Sequence, residues 1–399
     1  MKTIIILGLT YNQIPLIQKV KELGYRAIAI GVGGTEPVAA KYAVAWFAID
    51  TSDKEAVLEL AIKEKVDGLI TCGTSTAICS IAYVTEKLKL SDKVIPYDVS
   101  LNAVYKDRFR DVIPELLPKG FFCSDIGNAK MKSEALTFPI ILKPADGGGG
   151  KGVTIIDNRN ETFFETAFRH AYDFSYNKSV VVEEFVDGQV FGAESIIIDG
   201  QIYLLAIADK IISPPPHCVT LGVAFPSKLP KNIIEKIENV NSKAINKLGI
   251  KWGMTHIDMA INRNDEPKIF DIGPRMAGGL IASKLIPEKY NYDFYKAAIQ
   301  LSIGALPETP ASANNLYYGS RFITSSKTGI LKNISYNNEN IKKYKIENIR
   351  QLVLNGNEIS DIKDDSSRLI IFSSKAESYE KLVDNLDNFS NKINIEFNE

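Results

Sequence analysis

Phe138-Pro139-Ile140-Ile141-Leu142-Lys143-Pro144-Ala145-Asp146-Gly147-Gly148-Gly149-Gly150-Lys151-Gly152-Val153 is the stretch on which the reading of this chain turns. An apolar run delivers Lys143 at its end, Pro144 stops the strand, and a glycine tract follows before the chain resumes as Val153-Thr154-Ile155-Ile156. Four consecutive glycines let backbone N–H groups close around an anion with no Cβ in the way. Lysines on both sides of the tract, between two hydrophobic strands, argue for a phosphate flap over a plain hairpin tip. The tract is not a Walker loop, because the G-K-[ST] ending and the helix after it are missing.

Working outward, Val180-Val181-Val182-Glu183-Glu184-Phe185-Val186-Asp187-Gly188 reads as a strand ending in a turn, and Glu194 stands on another strand beyond it. Thr255-His256-Ile257-Asp258-Met259-Ala260 and Pro267-Lys268-Ile269-Phe270-Asp271-Ile272-Gly273-Pro274-Arg275-Met276-Ala277-Gly278-Gly279 flank the turn-forming residues 262–266. Two antiparallel strands would set Asp258 beside Asp271. Paired carboxylates in apolar strands repel unless a cation sits between them, and oxygen-only ligation suits Mg²⁺ bridging nucleotide phosphates.

Before this region, short strands alternate with amphipathic helices. Strands are expected at 3–8, 26–30, 45–49 and 67–71, and helices at 14–23, 54–65 and 77–88, which implies parallel βαβ units in a Rossmann-like open sheet. Gly8–Gln13 and Cys72–Thr76 fall at the carboxyl ends of such strands, where ligands bind in open α/β sheets, or are merely tight turns. No G-x-G-x-x-G follows the first strand. Residues 95–100 read as a linker. After 306 the chain is richer in Asn, Lys and Ser, with strands at 316–323, 329–334, 346–354 and 369–373, a polar loop at 337–340 and a helix at 376–386. The expected organisation is therefore 1–100, 101–306 and 307–399.

Bulk numbers exclude several function classes. Lys plus Arg (47) nearly cancels Asp plus Glu (48), so no global field holds a polyanion and nucleic acid is excluded as a first partner. Cys72, Cys79, Cys123 and Cys218 form no C-x-x-C pair, which leaves no zinc spacing and favours reduced thiols in a cytoplasmic protein. The opening apolar run is too short for a signal peptide, and no segment reaches the ~18 apolar residues of a membrane span.

Taken together, a lysine ahead of a helix, strand-Lys-Pro, a glycine flap, an E-E-F-V hinge, an acid-bearing hairpin and P-R-x-x-G-G resemble the ATP-grasp superfamily, in particular its carboxylate–amine ligases, over about the whole chain. The resemblance implies a Rossmann-like pre-ATP-grasp domain, an ATP-grasp fold of two α+β lobes and a small C-terminal α+β subdomain. It implies ATP and Mg²⁺ as cofactors, with Lys106 and Lys143 on the α- and β-phosphates and Gly147, Gly148, Gly149, Gly150, Lys151 and Gly152 closing over the β- and γ-phosphates. Backbone groups in the hinge Glu183-Glu184-Phe185-Val186, those of Glu184 and Val186, would face adenine. Asp258 and Asp271 would hold Mg²⁺, and Arg275 would neutralise the γ-phosphate and the developing acyl phosphate.

Two departures stand out. The ribose-binding glutamate expected after the hinge is Val190, so Glu183 or Glu194 would serve instead. The usual E-x-N reads Asp271-Ile272-Gly273, so one metal donor is missing. The implied reaction joins a small-molecule carboxylate to an amine through an acyl phosphate, in a homodimer by family habit. A thiol or hydroxyl acceptor, or a non-catalytic nucleotide-binding regulator, are the alternatives. For the substrates, His217 in a triple-proline loop either touches a carboxylate or is incidental. Arg321 either clamps a substrate carboxylate or forms a structural ion pair.

Overall fold

The computed structural model describes residues 1–32, 37–158 and 160–398. Ile4, Ile5, Ile6 and Leu7 are fully buried, as a strand covered on both faces requires. Thr3–Leu7 lies between Arg26–Ile30 and Gly68–Thr71 in a parallel sheet that Ala45–Phe47 completes. The helices Ile14–Glu22, Lys54–Lys63 and Ala77–Leu88 make the crossovers, and the expected spans hold with some ends one or two residues short. Residues 95–100 are not a linker. The helix Tyr97–Val104 starts inside them with Pro96 as its N-cap residue, and Tyr97 packs on Tyr83 at 5.3 Å between ring centroids. A proline just before a helix's first turn is compatible with helix entry, because that N–H would have no intrahelical partner.

A second sheet, ordered Gly120–Cys123, Val180–Glu184, Ile140–Pro144, Thr154–Ile156, carries the glycine tract between its last two strands. Ile140, Leu142, Val180 and Val182 face the helix Glu161–Asp173 through Phe164 and Phe168, so this lobe has its own core.

The third sheet has eight strands: Pro267–Gly273, Gly253–Ile261, Val190–Ile198, Gln201–Ile212, Thr220–Phe225, Tyr317–Ile323, Ile370–Ala376 and Ile346–Gln351, in that spatial order. It runs across residue 306 without a break, since Gly222 pairs with Arg321 and Tyr318 with Lys375. The helix Tyr379–Ser390 seals its far end with Leu382, Leu386 and Phe389. That helix begins later than expected because the preceding strand continues to Ala376 and Ser378 caps the turn, accepting from Lys381 N at 3.2 Å. Residues 337–340 are not a loop either. Asn337 caps the helix Asn338–Lys343 with its side chain, accepting from Glu339 N at 2.8 Å, so the polar run supplies a cap.

The whole is a mixed α/β architecture, with one parallel sheet and antiparallel sheets backed by helices. Among the described residues no helix is long and apolar enough to cross a membrane. All four cysteines are free, three of them buried.

Candidate active site

Lys143 ends the strand Ile140–Pro144 and reaches out of its own sheet. It donates to Phe270 O at 2.9 Å on the large sheet and pairs with Glu183, whose other oxygen takes Arg110. Burial pushes the Lys143 ammonium below the usual lysine range, and the Glu183 charge opposes that shift. Lys106 opens the helix Lys106–Val112; its Nζ pairs with Asp271 at 2.7 Å and donates to Gly147 O at 3.2 Å. Both expected phosphate lysines therefore touch the hairpin, and Lys106 also holds the start of the flap. Gly149, Gly150 and Gly152 have φ of +68°, +76° and +72°, the left-handed region that side chains other than glycine seldom enter.

Asp258 and Asp271 are register partners on Gly253–Ile261 and Pro267–Gly273, with a bulge just after Asp258. Their surroundings differ. Asp271 is partly open, whereas Asp258 is enclosed by Lys210 and by His256, whose Nε2 lies 3.0 Å from Asp258 Oδ1. The second ring nitrogen of His256 bonds Glu194. Burial works to lower the His256 pKa, but the Asp258 and Glu194 charges carry it above its ordinary value, with the ring clasped between the two carboxylates. Burial likewise works to raise the Asp258 carboxyl, yet His256 and Lys210 hold it far below the usual range. The cluster fits because Gly192 lies opposite Asp258: a Cβ there would come within 2.9 Å of His256 and 3.2 Å of Lys210. Sequence reasoning missed Lys210 as a site residue. The signal was available, a lysine beside Asp209 in the otherwise apolar run Ala206-Ile207-Ala208-Asp209-Lys210-Ile211-Ile212.

Arg275 leaves the hairpin and folds back over it. A Cβ on Gly273 would lie 2.9 Å from its Cζ, so the guanidinium occupies the space a larger residue would fill. Its Nε is buried without a partner, and among the described residues no carboxylate pairs with it. The following loop is tied to the parallel sheet: Gly73 N donates to Met276 O at 3.0 Å and Gly279 N to Asn12 Oδ1 at 3.3 Å. Gln13, fully buried, fills the space beside Gly8 and bonds Cys72 O, so the two strand-end turns of that sheet are welded to each other and to this loop.

A strand-borne lysine, a glycine flap and an acid hairpin thus converge from two sheets, and the family model of the ATP-grasp domain matches residues 123–279. Residues 123–279 are thus an ATP-grasp domain. Among solved structures, an L-amino acid ligase from Bacillus licheniformis superposes with a TM-score of 0.82 at 18% identity, covering 100% of this chain and 99% of that one. A phosphoribosylglycinamide synthetase from Anaerococcus prevotii gives 0.76 at 22% identity, covering 100% of both chains. In sequence, an uncharacterized protein, y4rH, of Sinorhizobium fredii is 30% identical over 168 residues, 42% of this chain and 34% of its own. The chain spans about a third or less of the length of the first curated relatives it matches.

Against the ATP-grasp expectation several residues move. Glu183 and Glu194 are 2% and 1% exposed; Lys143 and Arg110 engage Glu183, and His256 engages one oxygen of Glu194, whose other oxygen is buried without a partner. In the hinge, Glu184 N donates to Lys119 O at 2.9 Å and Phe185 N to Pro139 O at 2.9 Å. Arg321 does not face the site. Its strand neighbour Ser320 donates to Gly279 O at 3.1 Å, so alternation turns Arg321 to the other face, where it meets Asp387 at 3.0 Å on the helix Tyr379–Ser390. His217 lies beside the base of the flap, its Nδ1 3.5 Å from Val153 O, apart from the acid hairpin. Lys151 lies exposed on the flap.

The chemistry of the donor set tests Mg²⁺. Two facing carboxylates, one of them open, suit an ion that keeps several waters and takes phosphate oxygens. Among the described residues no group of three or more acids, histidines or cysteines is arranged to hold an ion, and at Gly273 a guanidinium fills the space of the missing donor. A divalent ion shared between Asp258 and Asp271 would take the place of Lys106 and Lys210 on the two carboxylates, and among the described residues nothing further is offered for a second.

Proposed function

We propose that the chain is an Mg²⁺- and ATP-dependent ligase that activates a small-molecule carboxylate as an acyl phosphate and passes the acyl group to an amine, releasing ADP and phosphate. One observation carries this reading. Lys106, Lys143, Lys210 and Arg275 all meet the single hairpin that bears Asp258 and Asp271, next to a glycine flap.

In this reading the flap backbone and Lys106 hold the nucleotide phosphates, and Lys143 stays charged through Glu183 until a phosphate oxygen takes over as its partner. The substrate carboxylate attacks the γ-phosphate in line. Arg275, paired with no acid among the described residues, neutralises charge on the transferring group. Lys210 keeps Asp258 oriented, with His256 and Glu194 behind it. The amine enters unprotonated and displaces phosphate from the acyl carbon, so positioning and the exclusion of water account for most of the rate. Mg²⁺, when bound by Asp258 and Asp271, would supply charge neutralisation on the phosphates. Residues 1–100 and 307–399 would wall the substrate chamber around residues 101–306. Resemblance to an L-amino acid ligase supports an amino acid as one substrate.

The test is ADP release from Mg-ATP, screened against pools of amino acids and small carboxylates. Lys143→Ala is expected to lower the pair-dependent rate by about 100-fold or more, the scale of losing one preorganised charge donor. Binding of ATP with no ADP release from any pool would sink the ligase reading.

A further inference from the structure

The glycine flap is fastened from the far end of the chain. Asp365 N donates to Gly149 O at 3.1 Å, and positions where side chains would stand on Gly149 and Gly150 approach Asp365 and Asp364 at 3.9 Å. Asp365 belongs to a short turn, Asp365–Ser367, that its neighbours hold rigid: Asp364 Oδ1 accepts from Ser366 N at 2.7 Å and Ser367 Oγ from Lys363 N at 3.0 Å. Its carboxylate is gripped by Arg368 at 2.6 Å.

Arg368 is a junction. It is buried, lies over the Phe322 ring at 4.1 Å, and donates twice to Thr220 O, at 3.0 and 2.7 Å. Tyr11 stands near enough to Arg368 and Asp365 for both charges to act on its hydroxyl, which burial pushes up. Tyr11 follows the first strand of the parallel sheet and lines a narrow notch with Asn12, Gly278, Ser283, Tyr295 and Arg350, and Arg350 donates to Tyr11 O at 3.0 Å. A chain of contacts therefore runs Arg350–Tyr11–Arg368–Asp365–Gly149, from a crevice beside the Arg275 loop to the flap.

We propose that Asp365 and Arg368 form a latch that holds the flap closed and couples it, through Tyr11, to whatever occupies the notch beside Gly278. The proposal rests on the nucleotide-flap reading above and adds a positioning role for a segment outside the matched ATP-grasp domain. Asp365 and Arg368 act through Gly149. A small polar group seated against Tyr11 and Arg350 would fix Arg368, fix the turn, and so help keep water from the phosphates.

The experiment is hydrogen exchange of the full chain, read on peptides covering 147–152 and, as an internal control, 190–198. Asp365→Ala keeps the backbone N–H that bonds Gly149 O but releases Arg368, so it frees the turn that holds the flap. With no ligand added, it is expected to speed exchange in the flap about tenfold while 190–198 stays unchanged. Tyr11→Phe is expected to raise flap exchange by a smaller factor. Flap exchange equal to wild type in Asp365→Ala overturns the latch. A loosened flap in Asp365→Ala with none in Tyr11→Phe overturns the coupling to the notch. Equilibrium dialysis of wild type with Mg-ADP separates the two levels: failure to bind sinks the nucleotide reading, while the latch is judged by the ligand-free exchange.

Discussion

The two charge clusters of the site are built differently. Around Lys143 the partners come from two sheets and a helix: Glu183 and Lys143 from the flap lobe, Phe270 and Asp271 from the large sheet, Lys106 and Arg110 from Lys106–Val112. Around His256 every member (Glu194, Lys210, His256 and Asp258) stands on neighbouring strands of one sheet. The first cluster breaks if the lobes part, so it suits groups that exchange partners with a nucleotide. The second is fixed by register and cannot open without unzipping strands, so it suits a permanent scaffold for Asp258.

The sharpest way to break this contrast is to remove one acid from each cluster. Asp258→Asn deprives buried Lys210 of its carboxylate and His256 of one of its two, and is expected to cost about 3 kcal/mol in urea-unfolding stability. Asp271→Asn, at a side chain one-third exposed, is expected to change stability by less than about 1 kcal/mol while raising the Mg²⁺ concentration needed for activity. Equal stability losses in the two variants would erase the distinction.

A smaller effect follows from pH. The folded pKa of His256 lies above its ordinary 6.5, so its contribution to stability is full below that value and is lost as pH rises through the folded one. Asp258 contributes in the opposite sense: its folded pKa lies below the ordinary 3.8, so its part persists above that value and is lost only as pH falls through the folded one. Melting temperature of wild type against His256→Gln, scanned from about pH 6 to 9, is expected to show the alkaline decline in wild type alone. The smallest effect on activity is reserved for Arg321→Ala. It removes a buried guanidinium that meets Asp387 on the face turned away from the site, so a loss of stability with an unchanged KM for either substrate is expected. A raised KM would return Arg321 to the site.

Much of this was legible in the chain itself. Buried runs such as Ile4–Leu7 and the hairpin pairing Asp258 with Asp271 follow from local pattern, because strand burial and turn chemistry are written in consecutive residues. Lys143 and the glycine tract were legible for the same reason. Partner choice was not. That Glu183 is engaged by Lys143 and Arg110, or that Asp258 faces Lys210, depends on register between strands far apart in sequence, which periodicity does not report. Arg321 shows the limit plainly, since one residue of alternation decides whether it faces substrate or the helix that carries Asp387.

The unbroken eight-stranded sheet has a further consequence for how the chain is handled in the laboratory. Cutting at residue 306 to isolate the nucleotide-binding part would strip Tyr317–Ile323 from Thr220–Phe225 and leave a row of unpaired backbone donors and acceptors beside buried Val223 and Phe225. Such a bared margin is a template for another chain, so the shortened protein would be sticky where the intact one is sealed.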